Sequence, residues 1–195
     1  MSEVLVLYYS KAGTTEALAR QVCRGIDSVA GVASRLRTVP AVSTVAEATA
    51  DSVPESGPPF VTSQDLAECA GLVMGSPTRF GNMDASLKYF IDSTASDWMS
   101  ATLVGKPFGL FTSSSSLHGG QESTLLSMAL PLIHHGMIYV GIPWTEPEMS
   151  TTTTGGTPYG ASHVSWSREH ELSTDEKSLA RALGARVAGI AKRLA

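Results

Sequence analysis

The sequence has little that would support a disulfide framework, a nucleic-acid surface or a membrane span. Only two of its 195 residues are cysteine, Cys23 and Cys69, which fits the reducing cytoplasm. The formal net charge is −4, and no cluster of lysine and arginine offers a patch for nucleic acid. No apolar run approaches the ~18 residues that a membrane helix needs. These absences predict a cytoplasmic protein that binds neither nucleic acid nor a membrane.

The sequence also lacks the spacing patterns of metal sites and of common nucleotide-binding loops. It contains no HExxH motif, no Cys/His ligand cluster, no GxGxxG and no GxxxxGK[ST]. His134 and His135 are adjacent, so on a helix their side chains diverge by about 100° and do not suit one metal ion. We therefore expect no metal, no Rossmann dinucleotide site and no P-loop.

The hydrophobic pattern alternates between buried strands and amphipathic helices. With 43% hydrophobic and 16% charged residues, the chain is expected to form one domain over residues 1–195. The pattern predicts strands at 4–9, 32–39, 72–74, 107–112 and 137–142. It predicts helices at 14–27, at a segment marked by Met83, Leu87, Phe90 and Ile91, at 122–135 and from a capping box at 173–176. Pro131 is expected to kink or restart its helix. Residues 40–63 and 143–172 are expected to be irregular. This is an α/β fold with a doubly wound, five-stranded parallel sheet and helices on both faces.

The loop after the first strand is rich in hydroxyl groups and leads directly into a helix. It comprises Ser10, Lys11, Ala12, Gly13, Thr14 and Thr15. Its hydroxyls, backbone amides and helix N-terminus suit one terminal phosphate. A polar turn with a helix cap explains the same residues equally well.

The loop after the third strand combines a stiff turn with an arginine and an aromatic residue. It comprises Pro77, Thr78, Arg79, Phe80, Gly81 and Asn82. Gly81 lets the backbone approach a flat ring, Arg79 is suited to stabilising negative charge and Phe80 to forming an apolar wall. The alternative is that Arg79 makes a surface ion pair and that Phe80 packs locally.

The loop after the fourth strand consists mainly of small residues and again precedes a helix. Its candidate contacts are Ser113, Ser114, Ser115, Ser116, Leu117, His118 and Gly119. A solvated loop is one explanation, and a close approach of backbone to a ligand is the other. Because ligands of open parallel sheets bind at the carboxyl ends of the strands, the three loops together favour a flat cofactor that carries a phosphate.

The sequence resembles the WrbA-type NAD(P)H:quinone oxidoreductases, which are flavodoxin-like, FMN-binding proteins. The motifs that carry the resemblance are VLVLYYS at 4–10, PTRFGNM at 77–83, HGGQE at 118–122, HHGM at 134–137 and GGTPYGAS at 155–162. The resemblance implies FMN as cofactor, a homotetramer, and FMN contacts by the three loops and by His134. It further implies that Trp98 and Phe80 contact the substrate. Ala12 departs from the family, which often has an aromatic residue there.

The function expected from the resemblance is FMN-dependent, two-electron reduction of a quinone with NADH or NADPH as hydride donor. No side chain is expected to act as a catalytic acid, base or nucleophile, because the cofactor supplies the redox chemistry. A one-electron carrier flavodoxin is one alternative, and a protein-interaction role without turnover is another. His163, Trp166 and His170 have no assigned role.

Overall fold

A computed structural model describes residues 2–42, 54–165 and 171–194, and it contains alternating strands and helices. The strands are β1 (Ser2–Tyr8), β2 (Val32–Thr38), β3 (Gly71–Pro77), β4 (Pro107–Ser114), β5 (Ile138–Tyr139) and β6 (Ala161–Val164). The helices are α1 (Thr14–Asp27), α2 (Ser63–Glu68), α3 (Ala85–Asp92), α4 (Ala95–Met99), α5 (Gln121–His134), α6 (Glu148–Thr151) and α7 (Thr174–Leu194).

The strands form one parallel sheet in the order β2-β1-β3-β4-β5. The fifth position is occupied by two segments, because β5 pairs with the beginning of β4 and β6 pairs with its end, at Phe111–Ser114. The predicted strand at 137–142 is therefore shorter than expected, and the segment 143–172 is not wholly irregular. Pairing with β4 ends because the Ile142 amide donates to the carbonyl of Pro158 at 3.1 Å instead. A β-carbon on Gly141 would stand 2.2 Å from the same oxygen, so the glycine allows this close approach.

Two apolar cores cover the two faces of the sheet. One core joins β1 and β3 to α1 and α7, and it includes Leu18, Val22, Leu179, Leu183 and Val187. The other core joins the opposite face to α2, α3 and α5, and it includes Leu66, Leu72, Leu87, Leu110, Leu125 and Met128. Because the central strands are buried on both faces, their sequences are apolar runs rather than alternating patterns, up to the hydroxyl residues at the ends of β3 and β4.

Helices α1 and α7 approach each other closely at two glycines. A β-carbon on Gly25 would lie 1.9 Å from the carbonyl oxygen of Arg181, and one on Gly184 would lie 2.2 Å from that of Val22. Real β-carbons do not come this near to backbone atoms, so each glycine allows the two helices to touch through their backbones.

Most predicted elements agree with the structure, and the disagreements are local. Helix α1 has the predicted limits, while α5 is one continuous helix through Pro131 and does not restart there. Helix α3 begins after Asp84, which caps it, so Met83 lies outside it. Short helices α2, α4 and α6 were not predicted. Within the described residues, no helix is long and apolar enough to cross a membrane.

Candidate functional site

The three predicted loops meet at the carboxyl edge of the sheet and enclose an open cleft. Its volume is about 220 Å³. The lining residues that the sequence analysis named are Lys11, Ala12, Thr14, Pro77, Thr78, Arg79, Ser113, Ser114 and Ser115. Ser165 also lines the cleft and was missed, because it reaches this edge only through the pairing of β6 with β4. Of the other named loop residues, none is among those that line the cleft.

The first loop places hydroxyl groups around the N-terminus of α1. Gly13 is the cap residue, has a left-handed backbone with φ of 86° and has no side chain to bond the first-turn amides. The Ser10 hydroxyl accepts a hydrogen bond from the Gly13 amide at 3.1 Å. Thr14 and the fully buried Thr15 each reach the Ser113 hydroxyl, at 3.3 and 3.0 Å. The buried Thr15 therefore supports the lining residues from behind, while Ser10 holds the exposed Gly13 amide at the start of α1.

The second loop ends in a tight turn that projects Phe80 into solvent. The backbones of Arg79 and Asn82 exchange two hydrogen bonds of 2.8 and 3.0 Å, while Phe80 and Gly81 have φ of 53° and 77°. Two central residues with positive φ define a type I′ turn, which favours asparagine or glycine rather than phenylalanine. Phe80 is fully exposed, so in one copy of the chain it forms no wall of the cleft.

The side chains beside Phe80 have structural partners. The guanidinium of Arg79 lies 2.9 Å from the carboxylate of Asp84, so the surface ion pair considered as an alternative does form. The Asn82 side-chain oxygen accepts from the Met83 amide at 2.8 Å and from the Ser127 hydroxyl at 3.1 Å. Asn82 thereby attaches the loop to α5.

Replacing Phe80 by asparagine is expected to stabilise the ligand-free fold by about 1 kcal/mol, because asparagine tolerates the left-handed backbone. No packing is lost, since the side chain is exposed. Thermal unfolding at low protein concentration measures the change, which corresponds to roughly 2–4 °C. Phe80→Leu retains the strain and is the control. An asparagine variant that melts no higher than the leucine variant would contradict the strain.

The third loop is closed by hydrogen bonds to its own backbone. The carbonyl of Ser116 accepts from the Ser114 hydroxyl at 2.8 Å and from the Gln121 amide group at 2.9 Å. A β-carbon on Gly119 would lie 2.8 Å from the same carbonyl, which explains the glycine. Leu117 and His118 are exposed, and His118 has a left-handed backbone with φ of 56°. Only the serine half of this loop lines the cleft.

The cleft is chemically suited to an oxyanion. Of the ten described residues that line it, six carry a hydroxyl, two carry a cation, Lys11 and Arg79, and none carries a carboxylate. The N-terminus of α1 adds amide donors and a positive dipole end. The cleft is open to solvent.

Trp98 and His134 lie far from this cleft within one copy of the chain, so their expected contacts with cofactor and substrate stay a prediction. Helix α5 begins beside the cleft and ends at His134, and its 14 residues extend about 20 Å. The indole nitrogen of Trp98 donates to the His134 carbonyl at 2.8 Å. Both residues line a second, shallow depression together with Ile91, Asp92, Thr94, Ala95, Pro131 and His135.

A buried pair, His163 and Glu176, lies next to the cleft. Both side chains are 1% exposed, and Nδ1 of His163 lies 2.9 Å from Oε2 of Glu176. Three backbone amides also donate to this carboxylate, from Gly155 at 2.9 Å, Val164 at 3.1 Å and Ser173 at 2.8 Å. Burial alone would raise the pKa of Glu176, but these hydrogen bonds outweigh it and hold the pKa at about 2.

Trp166 and His170 lie outside the described residues. Among residues 2–42, 54–165 and 171–194, no group of three histidine, cysteine, aspartate or glutamate side chains is placed to hold a metal ion.

Comparison with known proteins finds relatives along nearly the whole chain. The family model of the NADPH-dependent FMN reductases matches residues 3–146. An NAD(P)H dehydrogenase (quinone) from Solidesulfovibrio magneticus is 39% identical over 201 residues, covering 98% of each chain. A WrbA-like flavodoxin from Agrobacterium tumefaciens has a TM-score of 0.72 and 25% identity over 99% of each chain. A flavodoxin from the domain Archaea, 19% identical with a TM-score of 0.66, covers 97% of this chain and 99% of its own. These structures confirm the expected flavodoxin-like fold.

Proposed function

This chain belongs to the NADPH-dependent FMN reductase family, and from that premise we propose that it binds FMN and uses it to reduce quinones with NADH or NADPH. The observation that carries the proposal is the cleft, whose described lining carries hydroxyl and cationic groups and no carboxylate, with the N-terminus of α1 beside it. This donor set fits the phosphate of FMN. When bound, FMN supplies the hydride and electron transfer that the protein's own side chains do not.

The chain's own groups would hold the cofactor by its phosphate and leave its ring accessible. Ser10, Thr14, Thr15 and Ser113 form the hydroxyl cluster at the phosphate end, and Lys11 adds a positive charge beside it. The loop at 77–82 lies across the cleft, where its backbone is suited to contact the ring. The volume of about 220 Å³ is below the roughly 300–1,000 Å³ of pockets that enclose a ligand, so part of the cofactor would remain at the open side.

Turnover with both substrates tests the proposal against a one-electron carrier. Purified protein is supplied with FMN, then with NADH or NADPH, in the presence and absence of benzoquinone. Many turnovers of nicotinamide oxidation that depend on quinone are expected. A protein that binds FMN but oxidises no more than one equivalent of either nicotinamide would be a carrier, and a protein that binds no FMN would contradict the proposal entirely.

Replacing Thr15 by valine is expected to weaken FMN binding by roughly 10- to 150-fold, because a buried hydroxyl that orders Ser113 is lost. Ser10→Ala is expected to act similarly through the Gly13 amide. Quenching of flavin fluorescence gives the dissociation constants. Riboflavin, which lacks the phosphate, is the matched control and should bind each variant as it binds the native chain. Unchanged FMN affinity in both variants would exclude the phosphate assignment.

We further propose that the active form is a homotetramer in which a second copy brings Trp98 and His134 to the open side of the cleft. Trp98 is 55% exposed. The surface around it and along α5 is apolar, with exposed side chains of Tyr89, Met99, Leu126, Leu130 and Ile133. An unpartnered apolar surface of this kind is typical of an interface.

The two free cysteines suit the reducing cytoplasm, where we place the protein.

Subunit mixing tests whether the site is shared between copies. Trp98→Ala and Thr15→Val are each expected to lower quinone reduction when pure. After equal amounts are mixed and allowed to exchange subunits, about a quarter of shared sites would carry neither substitution, so activity should rise above both parents. Each variant mixed with itself is the control. No recovery despite subunit exchange, or a monomer by light scattering with FMN present, would contradict the shared site.

A further inference from the structure

His163 occupies the position on the sheet that neighbours Ser113. In the parallel pairing of β4 with β6, Ser113 and His163 are register partners, so their side chains leave adjacent strands side by side. Both point to the same face, since Ser113 bonds Thr15 of α1 and His163 bonds Glu176 of α7, and α1 and α7 share one core. The imidazole is therefore next to the serine that links the phosphate loop to β4.

Ser113 connects the hydroxyl cluster to the sheet. Its hydroxyl is the common partner of Thr14 and Thr15, and its side chain lines the cleft. A serine hydroxyl can rotate among three positions, so the cluster is ordered only if its neighbours restrict that rotation.

Glu176 fixes the imidazole in one orientation. Its four hydrogen bonds come from the loop at Gly155, from β6, from the start of α7 and from His163, so the carboxylate cannot turn. The other ring nitrogen, Nε2, faces away from Glu176 and is buried with no hydrogen-bond partner among the described residues. Leaving such a group unpaired costs free energy, so its retention needs a reason beyond packing.

We propose that His163, anchored by Glu176, is a positioning residue for the phosphate end of FMN, acting through Ser113. The anchored ring limits where the Ser113 hydroxyl can lie and keeps Thr14 and Thr15 arranged for the phosphate. The inference rests on the proposed function, because it needs FMN to be the ligand. It adds a residue to which neither the sequence motifs nor the lining of the cleft pointed.

The ratio of the dissociation constants for riboflavin and FMN tests this role, because only FMN carries the phosphate. His163→Leu is expected to weaken FMN by about tenfold and riboflavin less than twofold. His163→Asn places an amide donor where Nδ1 lies, so it keeps the bond to Glu176 and is expected to recover most of the FMN affinity. Val187→Ala is the control for a general loss of stability, because this core residue of α7 lies away from the cluster. It should leave the ratio unchanged.

The outcomes separate positioning from simple structural support. Thermal unfolding of each ligand-free variant first establishes that it folds. A His163→Leu variant that weakens both ligands equally, or neither, would overturn the inference while native FMN binding still supports the proposed function. An asparagine variant as impaired as the leucine variant would contradict the anchoring by Glu176. If the leucine variant does not fold, His163→Ala takes its place, and the inference then requires the dissociation constant of FMN to rise about tenfold while that of riboflavin changes less than twofold.

Discussion

Replacing Gly184 by alanine is expected to destabilise the fold by about 3 kcal/mol or more, one of the two largest effects predicted for a single substitution in this chain. The added β-carbon would lie 2.2 Å from the carbonyl oxygen of Val22. Because that atom belongs to a helix backbone, no side chain can rotate to make room, and α1 and α7 must separate along the main apolar core. Overpacking of well-packed cores typically costs 1–3 kcal/mol, and a backbone contact lies at the upper end.

Another glycine of the same helix provides the matched control. A β-carbon on Gly189 would have only the end of the Arg193 side chain near it, at 3.9 Å. Gly189→Ala is therefore expected to stabilise the fold by about 0.5–1 kcal/mol, the usual gain in a helix interior. Thermal unfolding of the flavin-free chain measures both changes, and roughly 3 kcal/mol corresponds to a fall of about 6–12 °C. A Gly184→Ala variant that melts within 2 °C of the native chain would show that the helices can separate without cost.

Replacing Glu176 by glutamine is expected to cost about 3 kcal/mol at neutral pH. The amide group would turn a donor toward the Ser173 amide and His163, both of which donate to the native carboxylate. Removing one partner from a buried charged cluster typically costs 3–5 kcal/mol. Asp175→Asn, in the same helical turn, is the control and should cost less than about 1 kcal/mol, since it loses chiefly an interaction with the helix dipole.

The same carboxylate predicts how stability depends on pH. Its pKa is about 2 in the folded chain against an ordinary value of 4.5. A lowered folded pKa gives stability that is fully present above pH 4.5 and is lost as the pH falls from 4.5 toward 2, about 3 kcal/mol in all. Urea unfolding at several pH values should show this loss in the native chain. The Glu176→Gln variant should show a smaller loss over the same interval, and parallel profiles would contradict the low pKa.

Patterns among residues close in sequence correctly predicted individual helices and the positions of the loops. The four-residue spacing of Leu18, Val22 and Ile26 gave α1 its correct limits, and the Ser173–Glu176 capping box marked the start of α7. The capping box explains why Glu176 stands at this position of the helix. It gives no sign that the same carboxylate also accepts a hydrogen bond from His163. The three loops were predicted because each follows a buried strand, and parallel strands bring such loops to one edge.

The sequence could not indicate contacts between segments that lie far apart along the chain. Segment 161–164 is short and only half apolar, and it becomes a strand because the edge of β4 is available to it. Ser165 and His163 reach the cleft region through that pairing alone. Trp98 and His134 were assigned to the cleft by resemblance, yet the length of α5 separates them from it within one chain. A pattern along one chain carries no information on contacts between copies.

The late position of β6 in the chain has a consequence for synthesis on the ribosome. Fifty residues separate Ser114 from Val164, so at 5–20 residues per second β4 waits for about 3–10 seconds before its edge can be paired. During that interval the end of β4 offers unsatisfied amides and carbonyls to any extended peptide nearby. The anchoring glutamate emerges later still, at the start of the last helix. A nascent chain is therefore most open to mispairing just before its cofactor cleft can form, and a molecular chaperone would act to greatest effect at that stage.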